Sequence, residues 1–228
     1  MSIAKFLMVI LLNSAMLINA APLPMEDLYG SMDEAALRSE INAVATASDF
    51  LSLKRLGIAW HNLAVLKASG ASDQALEILS QANRLNPEDM AVLAYLGSAK
   101  TLVARDSWNF ITKMSQTNKG IAMIDKAVRR APKDPVVRMV RANNSLALPE
   151  FFGRRPRATK DFEYMHAHQS ELHFPPLIQA EISYKLASLK AAAGDQVAAR
   201  TLYQEAITVA PKSAWAQQAA VALQKLGR

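Results

Sequence analysis

The side chains best suited to recognition chemistry in this sequence are arginines, and they are concentrated. Residues 126–160 hold ten basic side chains, among them Arg138, Arg141, Arg154, Arg155 and Arg157, against two acids, Asp134 and Glu150. That segment carries +8, whereas the whole 228-residue chain carries +6. Basicity this local points to an anionic partner, because a clustered patch steers and holds opposite charge. Arg154, Arg155 and Arg157 also follow Phe151 and Phe152 closely. A guanidinium grips a carboxylate or phosphate through two hydrogen bonds at once. Neighbouring rings exclude water, so Arg and aromatic residues together make good anchors. The competing expectation is a solvated face whose arginines pair with acids elsewhere in the chain.

Other chemistry is sparsely represented. Glu163, His166, His168 and His173 are the nearest approach to a metal-ligand set, but His166 and His168 point to different sides of a helix, and surface histidines are the competing expectation. There is no Gly-rich phosphate loop, no His-Glu-x-x-His helix and no Gly-x-Ser-x-Gly elbow. Cysteine is absent, which removes disulfides and thiol chemistry from consideration. The expectation is a chain that is not an enzyme and needs no cofactor or metal.

Half of the residues are apolar, and Gly and Pro are few, a balance that favours packed helices. The elements that position the arginines emerge from self-similarity. Gly70, Ala75, Leu79, Ala82 and Pro87 are separated by 5, 4, 3 and 5 residues, as are Gly194, Ala199, Tyr203, Ala206 and Pro211. Gly120, Ile124, Ala127 and Pro132 form a third copy, without one of the small residues. Small residues let two helices approach closely, and a Pro marks where a helix stops. Asp89, Asp134 and Ser213 each follow their Pro by two residues and suit the N-cap of the next helix. Ahead of the copies stand Leu63-Ala64, Leu96-Gly97 and Leu186-Ala187, each a bulky-small pair on a partner helix.

Two antiparallel helices per unit, at a period of about 34 residues, resemble the tetratricopeptide repeat family. Gln179 to Lys212 resembles it most, through Leu186, Ala187, Gly194, Asp195, Ala199, Tyr203, Ala206 and Pro211. The resemblance implies an all-α, right-handed α-solenoid of about four helix-pair units, near 54–88, 89–133, 134–173 and 175–211. Residues 22–53 are expected to form an N-terminal capping region, with a helix from a Ser31-Met-Asp-Glu34 capping box to about Thr46. Residues 212–228 are expected to form a C-terminal capping helix, as solenoids require. The resemblance further implies a concave groove lined by the first helix of each unit, faced by His61, Val65, Ala94, Ser98, Tyr184 and Ser188.

Departures from the period locate insertions. Eleven extra residues fall between the helices of the second unit, around Val103–Lys113, with Trp108 and Phe110. Four fall in the third unit around Pro149–Arg157, and seven follow it around 166–176. The first two both join the helices of one unit, so both emerge on one edge, where repeat proteins often build a binding face. The competing expectation is that these aromatics pack a longer helix end, and for Trp108 that is the favoured one.

Lys5 precedes an apolar stretch ending in small residues, so residues 1–21 read as a signal peptide. An uncleaved anchor is the competing reading, although the stretch is short for a span of about 20 residues. The chain is thus expected to be exported, periplasmic or secreted. The expected function is a protein-protein interaction module, an adaptor or assembly factor of the cell envelope, with a protein or peptide partner of acidic character. The alternative is a carrier or binder of an anionic ligand, lipid or polysaccharide using the Arg-rich insertion. Nucleic acid is not expected as a partner outside the cytoplasm.

Overall fold

The computed structural model describes residues 23–226 with the exception of Ala47, so the segment read as a signal peptide lies outside the described residues. Every regular element among the described residues is helical. A short helix α1 (Met25–Gly30) and a capping helix α2 (Glu34–Val44) precede four antiparallel pairs. These are α3 (Phe50–Val65) with α4 (Ala71–Leu85), α5 (Met90–Asp106) with α6 (Phe110–Arg130), α7 (Pro135–Ala147) with α8 (Arg155–Ala167), and α9 (Pro176–Ala192) with α10 (Gln196–Val209). Helix α11 (Ala214–Leu226) packs against α9 and α10 and closes the stack.

The helix ends follow from local chemistry. The side chains of Asp49, Asp89, Asn109, Asp134 and Asp195 each accept a hydrogen bond from an amide of the first turn they precede, satisfying donors that the helix itself leaves free. Ser213 does the same for α11. The turns of the first and last pairs close through Gly70 (φ 70°) and Gly194 (φ 86°), a left-handed backbone that side chains disfavour. At the amino end the cap is Asp33, whose carboxylate accepts from the amides of Ala35 and Ala36. Ser31 is not the cap: it closes the end of α1, and α2 begins only at Glu34, which leaves the cap position to Asp33.

The small residues of the repeated pattern sit where helices cross. Ala75, Ala82, Ala127, Ala199 and Ala206 are completely buried. A methyl group on Gly97 would lie 2.7 Å from the carbonyl oxygen of Gly120, so the α5–α6 contact is backbone against backbone. Two apolar clusters meet at α7, which gives Val137 and Val140 to the amino-terminal one and Ala142 to the carboxy-terminal one.

The longest insertion is not a loop. It lengthens both helices of its pair, and only Ser107, Trp108 and Asn109 connect them. Helix α5 runs nine residues past Gly97, whereas α3 ends one residue past the equivalent Ala64. At 1.5 Å per residue the α5–α6 hairpin projects by about 12 Å beyond its neighbour. The Pro149–Arg157 insertion is a true excursion, through the short 3-10 turn Glu150–Phe152 and Gly153.

Candidate partner-binding surfaces

Most of the clustered arginines singled out above are turned inward. Arg138 and Arg141 of α7 both bind Asp161 of α8, at 2.7 Å and at 2.6 and 2.7 Å. Asp161 is completely buried, and Arg138 also donates to the Pro132 carbonyl and stacks over Tyr164. Arg154, only 6% exposed, makes a two-pronged bridge to Asp125 of α6 at 2.7 and 2.8 Å. Burial alone would push the Asp125 carboxyl up, but the Arg154 bridge and the nearby charges of Arg157 and Arg141 outweigh it and hold the group below its usual range. Arg138, Arg141 and Arg154 therefore tie α6, α7 and α8 together and are not free to meet a partner. The cause is that buried guanidinium and carboxylate groups must be paired.

Arg155 and Arg157 remain accessible. Arg155 pairs at 2.8 Å with Glu150, and both are exposed. The side chain of Arg157 is 53% exposed and stands 3.8 Å from Asp125. Beside them Phe151 is 73% exposed, its ring 4.4 Å from that of the better covered Phe152.

The same edge carries the tip of the α5–α6 hairpin. There Trp108 is 92% exposed, and Phe110 and Ile111 are also exposed. Trp108 does not pack the helix end as the sequence suggested; the hairpin projects past the helices that would have covered it. Ile111 drew no notice in the sequence, where only its place one residue after Phe110 marks it. The three form a contiguous exposed apolar group, more than the scattered single apolar residues of an ordinary surface.

The inner face formed by α3, α5, α7 and α9 differs from the expected open groove. His61, Ala94 and Ser98 are buried, Val65 is exposed at the end of α3, and Tyr184 and Ser188 are half-buried against Tyr203. His61 bridges two helices, its Nδ1 3.1 Å from Asn62 Oδ1 and its Nε2 2.8 Å from Ser98 Oγ. Burial pulls the His61 imidazole down to about 4. Tyr184 lies between the rings of Tyr203 and Trp215. The groove is covered near His61 because α1 lies across it. Asn62 donates to the Leu28 carbonyl at 2.8 Å, Tyr95 donates to the Tyr29 carbonyl at 2.7 Å, and Leu28 is completely buried.

The histidines do not form a cluster. His166 bonds to Glu205 of α10 at 2.7 Å, and this bond, against the opposing effect of burial, holds the imidazole above its ordinary value. His168 stacks on Tyr164, while His173 lies in the following turn with φ 50°. Among the described residues no three His, Asp or Glu side chains converge as a metal site would need.

No family model and no curated protein matches this sequence. Among solved structures it is similar to TTC0263, a thermophilic TPR protein of Thermus thermophilus, with a TM-score of 0.64 at 20% identity over 91% of this chain and 98% of that one. At that identity the likeness speaks for architecture, and it agrees with the helix pairs described above: this chain has the tetratricopeptide-like solenoid fold.

Proposed function

We propose that this chain is a non-catalytic protein-binding scaffold whose contact surface is the edge formed by the α5–α6 and α7–α8 turns. The observation that carries the reading is the projecting tip, where Trp108 stands 92% exposed beside Phe110 and Ile111. Rigid helices hold these side chains clear of the stack, and a Trp anchor flanked by apolar neighbours is the usual centre of a protein contact. An adaptor or assembly role in the cell envelope follows if residues 1–21 direct export, for which the Lys5 start and the following apolar stretch are the support. Arg155 and Arg157 beside Phe151 give the second reading, an anionic lipid or other anionic ligand at the same edge.

A photo-crosslinking residue at Trp108, with a control at exposed Val221 on α11, tests the proposal in cells. A discrete crosslinked protein from the Trp108 position and none from Val221 is expected. Crosslinks to lipid alone would favour the second reading. Identical patterns from both positions would remove the edge as a contact surface.

A further inference from the structure

Helix α1 lies on the inner face of the stack as a bound peptide would. It touches first helices from three different pairs. Asn62 of α3 donates to the Leu28 carbonyl, Tyr95 of α5 donates to the Tyr29 carbonyl, and a methyl group on Gly30 would meet Ile178 of α9 at 3.4 Å. Just upstream, Leu23 is held through its backbone: Glu40 accepts from its amide at 3.0 Å and Arg55 donates to its carbonyl. Four hydrogen bonds thus grip main-chain atoms, which leaves side-chain identity to the pockets. Leu28 fills an apolar one completely, and Tyr29 stacks on Tyr95 with centroids 6.0 Å apart. Glu26 and Asp27 face solvent.

The grip is built from pre-positioned side chains. Asn62 Oδ1 meets His61, His61 meets Ser98, and Ser98 lies 3.5 Å from the Asn144 amide of α7. This polar chain fixes the Asn62 amide with its donor toward the groove, through α3, α5 and α7. By contrast α1 has six residues and no side-chain cap, too short to be helical on its own. Only Ser31, Met32 and Asp33 tie it to α2.

From this arrangement we infer that the inner groove is a short-peptide site which Leu23–Ser31 occupies in cis. A partner segment with the same leucine-aromatic pair on a single helical turn binds there by displacing α1. The site is separate from the edge carrying Trp108, so either can fail without the other. The three-residue tether gives the cis segment a millimolar effective concentration, so the unaltered chain should take a free peptide poorly.

The test uses the full chain and a fluorescein-labelled synthetic peptide spanning Leu23–Met32, read by fluorescence anisotropy. Leu28→Asp releases the cis segment and leaves the groove intact. It should bind the peptide about tenfold or more tightly than the unaltered chain, because the occupied fraction no longer taxes binding. Adding Tyr95→Phe, which removes one main-chain hydrogen bond, should then weaken binding about fivefold. Equal binding to the unaltered and Leu28→Asp chains, or binding to neither, overturns the inference. A Leu28→Asp chain that loses its cooperative melt overturns it too, since α1 would then be a structural cap and not an occupant.

Discussion

Arg154, just ahead of α8, and Asp125 of α6 face each other through two hydrogen bonds of 2.7 and 2.8 Å, in a site where Arg154 is almost wholly buried. The bridge clips the insertion of the third pair onto the second pair. Arg141 and Arg157 stand 3.7 and 3.8 Å from the same carboxylate but do not replace the bridge.

Arg154→Ala should therefore be a stability variant. Removing a charge-assisted bond from a half-buried carboxylate costs about 2 kcal/mol, and the melting temperature should fall. Asp125 is held below its usual range by these arginines, so its contribution is present above a pH of about 3.9 and is lost as pH falls through the depressed folded value. Losing Arg154 should move that loss to higher pH. The double change Arg155→Ala, Arg157→Ala should leave the melt within about 0.5 kcal/mol, as exposed pairs contribute little. Chemical denaturation at pH 7 and at pH 3–5 checks both. Equal effects from the two sets would mean that Arg154 is as exposed as its neighbours.

The division among these arginines was hidden in the sequence for a physical reason. Spacing places small residues at helix crossings, so Ala75, Ala82, Ala199 and Ala206 were legible, as were the caps Asp89, Asp134 and Ser213. A charged residue's fate depends on which distant acid it meets. Asp125 lies 29 residues before Arg154 and Asp161 lies 20 after Arg141, separations that no local period encodes. The Val103–Lys113 excess was legible as a length but not as a shape, since eleven residues serve equally as a loop or as three extra turns of helix. The covering of the groove was hidden because α1 carries no repeat signature. The Asn62-Tyr95 grip on it exists only once α3 and α5 are side by side.

His61 should give the chain an acid-sensitive step. Its imidazole is buried and its folded value is pulled down to about 4 from an ordinary 6.5. The neutral form is the one that folds, so stability is fully present above about pH 6.5 and drains as pH falls toward 4. The full shift corresponds to about 3 kcal/mol. His166 works in the opposite sense. Glu205 raises its folded value, so its contribution is present below about pH 6.5 and is lost as pH rises through the raised value; the pair is only partly buried, so it amounts to under about 1 kcal/mol. Urea denaturation between pH 4 and 8 should show the acid limb in the unaltered chain and a much flatter one in His61→Gln. An acid limb of unchanged depth in His61→Gln would place the sensitivity elsewhere.

Gly120→Ala should destabilise the α5–α6 hairpin although Ala is the better helix former. In an exposed helix interior the change would gain about 1 kcal/mol. Here the added methyl group would run into the Gly97 carbonyl and lie 2.7 Å from Thr101 Cγ2. The carbonyl belongs to the backbone of α5, so no rotamer change relieves the clash and the helices must part. Overpacking of this kind costs about 1–3 kcal/mol, enough to outweigh the propensity gain. The loss should concentrate at the base of the projecting hairpin. Amide exchange should quicken along α5 and α6 and stay unchanged in α9 and α10, where no such change was made. Gly30→Ala is the matched control, because its new methyl group would meet only the tip of Ile178 at 3.4 Å, an ordinary contact. A Gly120→Ala chain as stable as Gly30→Ala would show that α5 and α6 do not meet backbone to backbone.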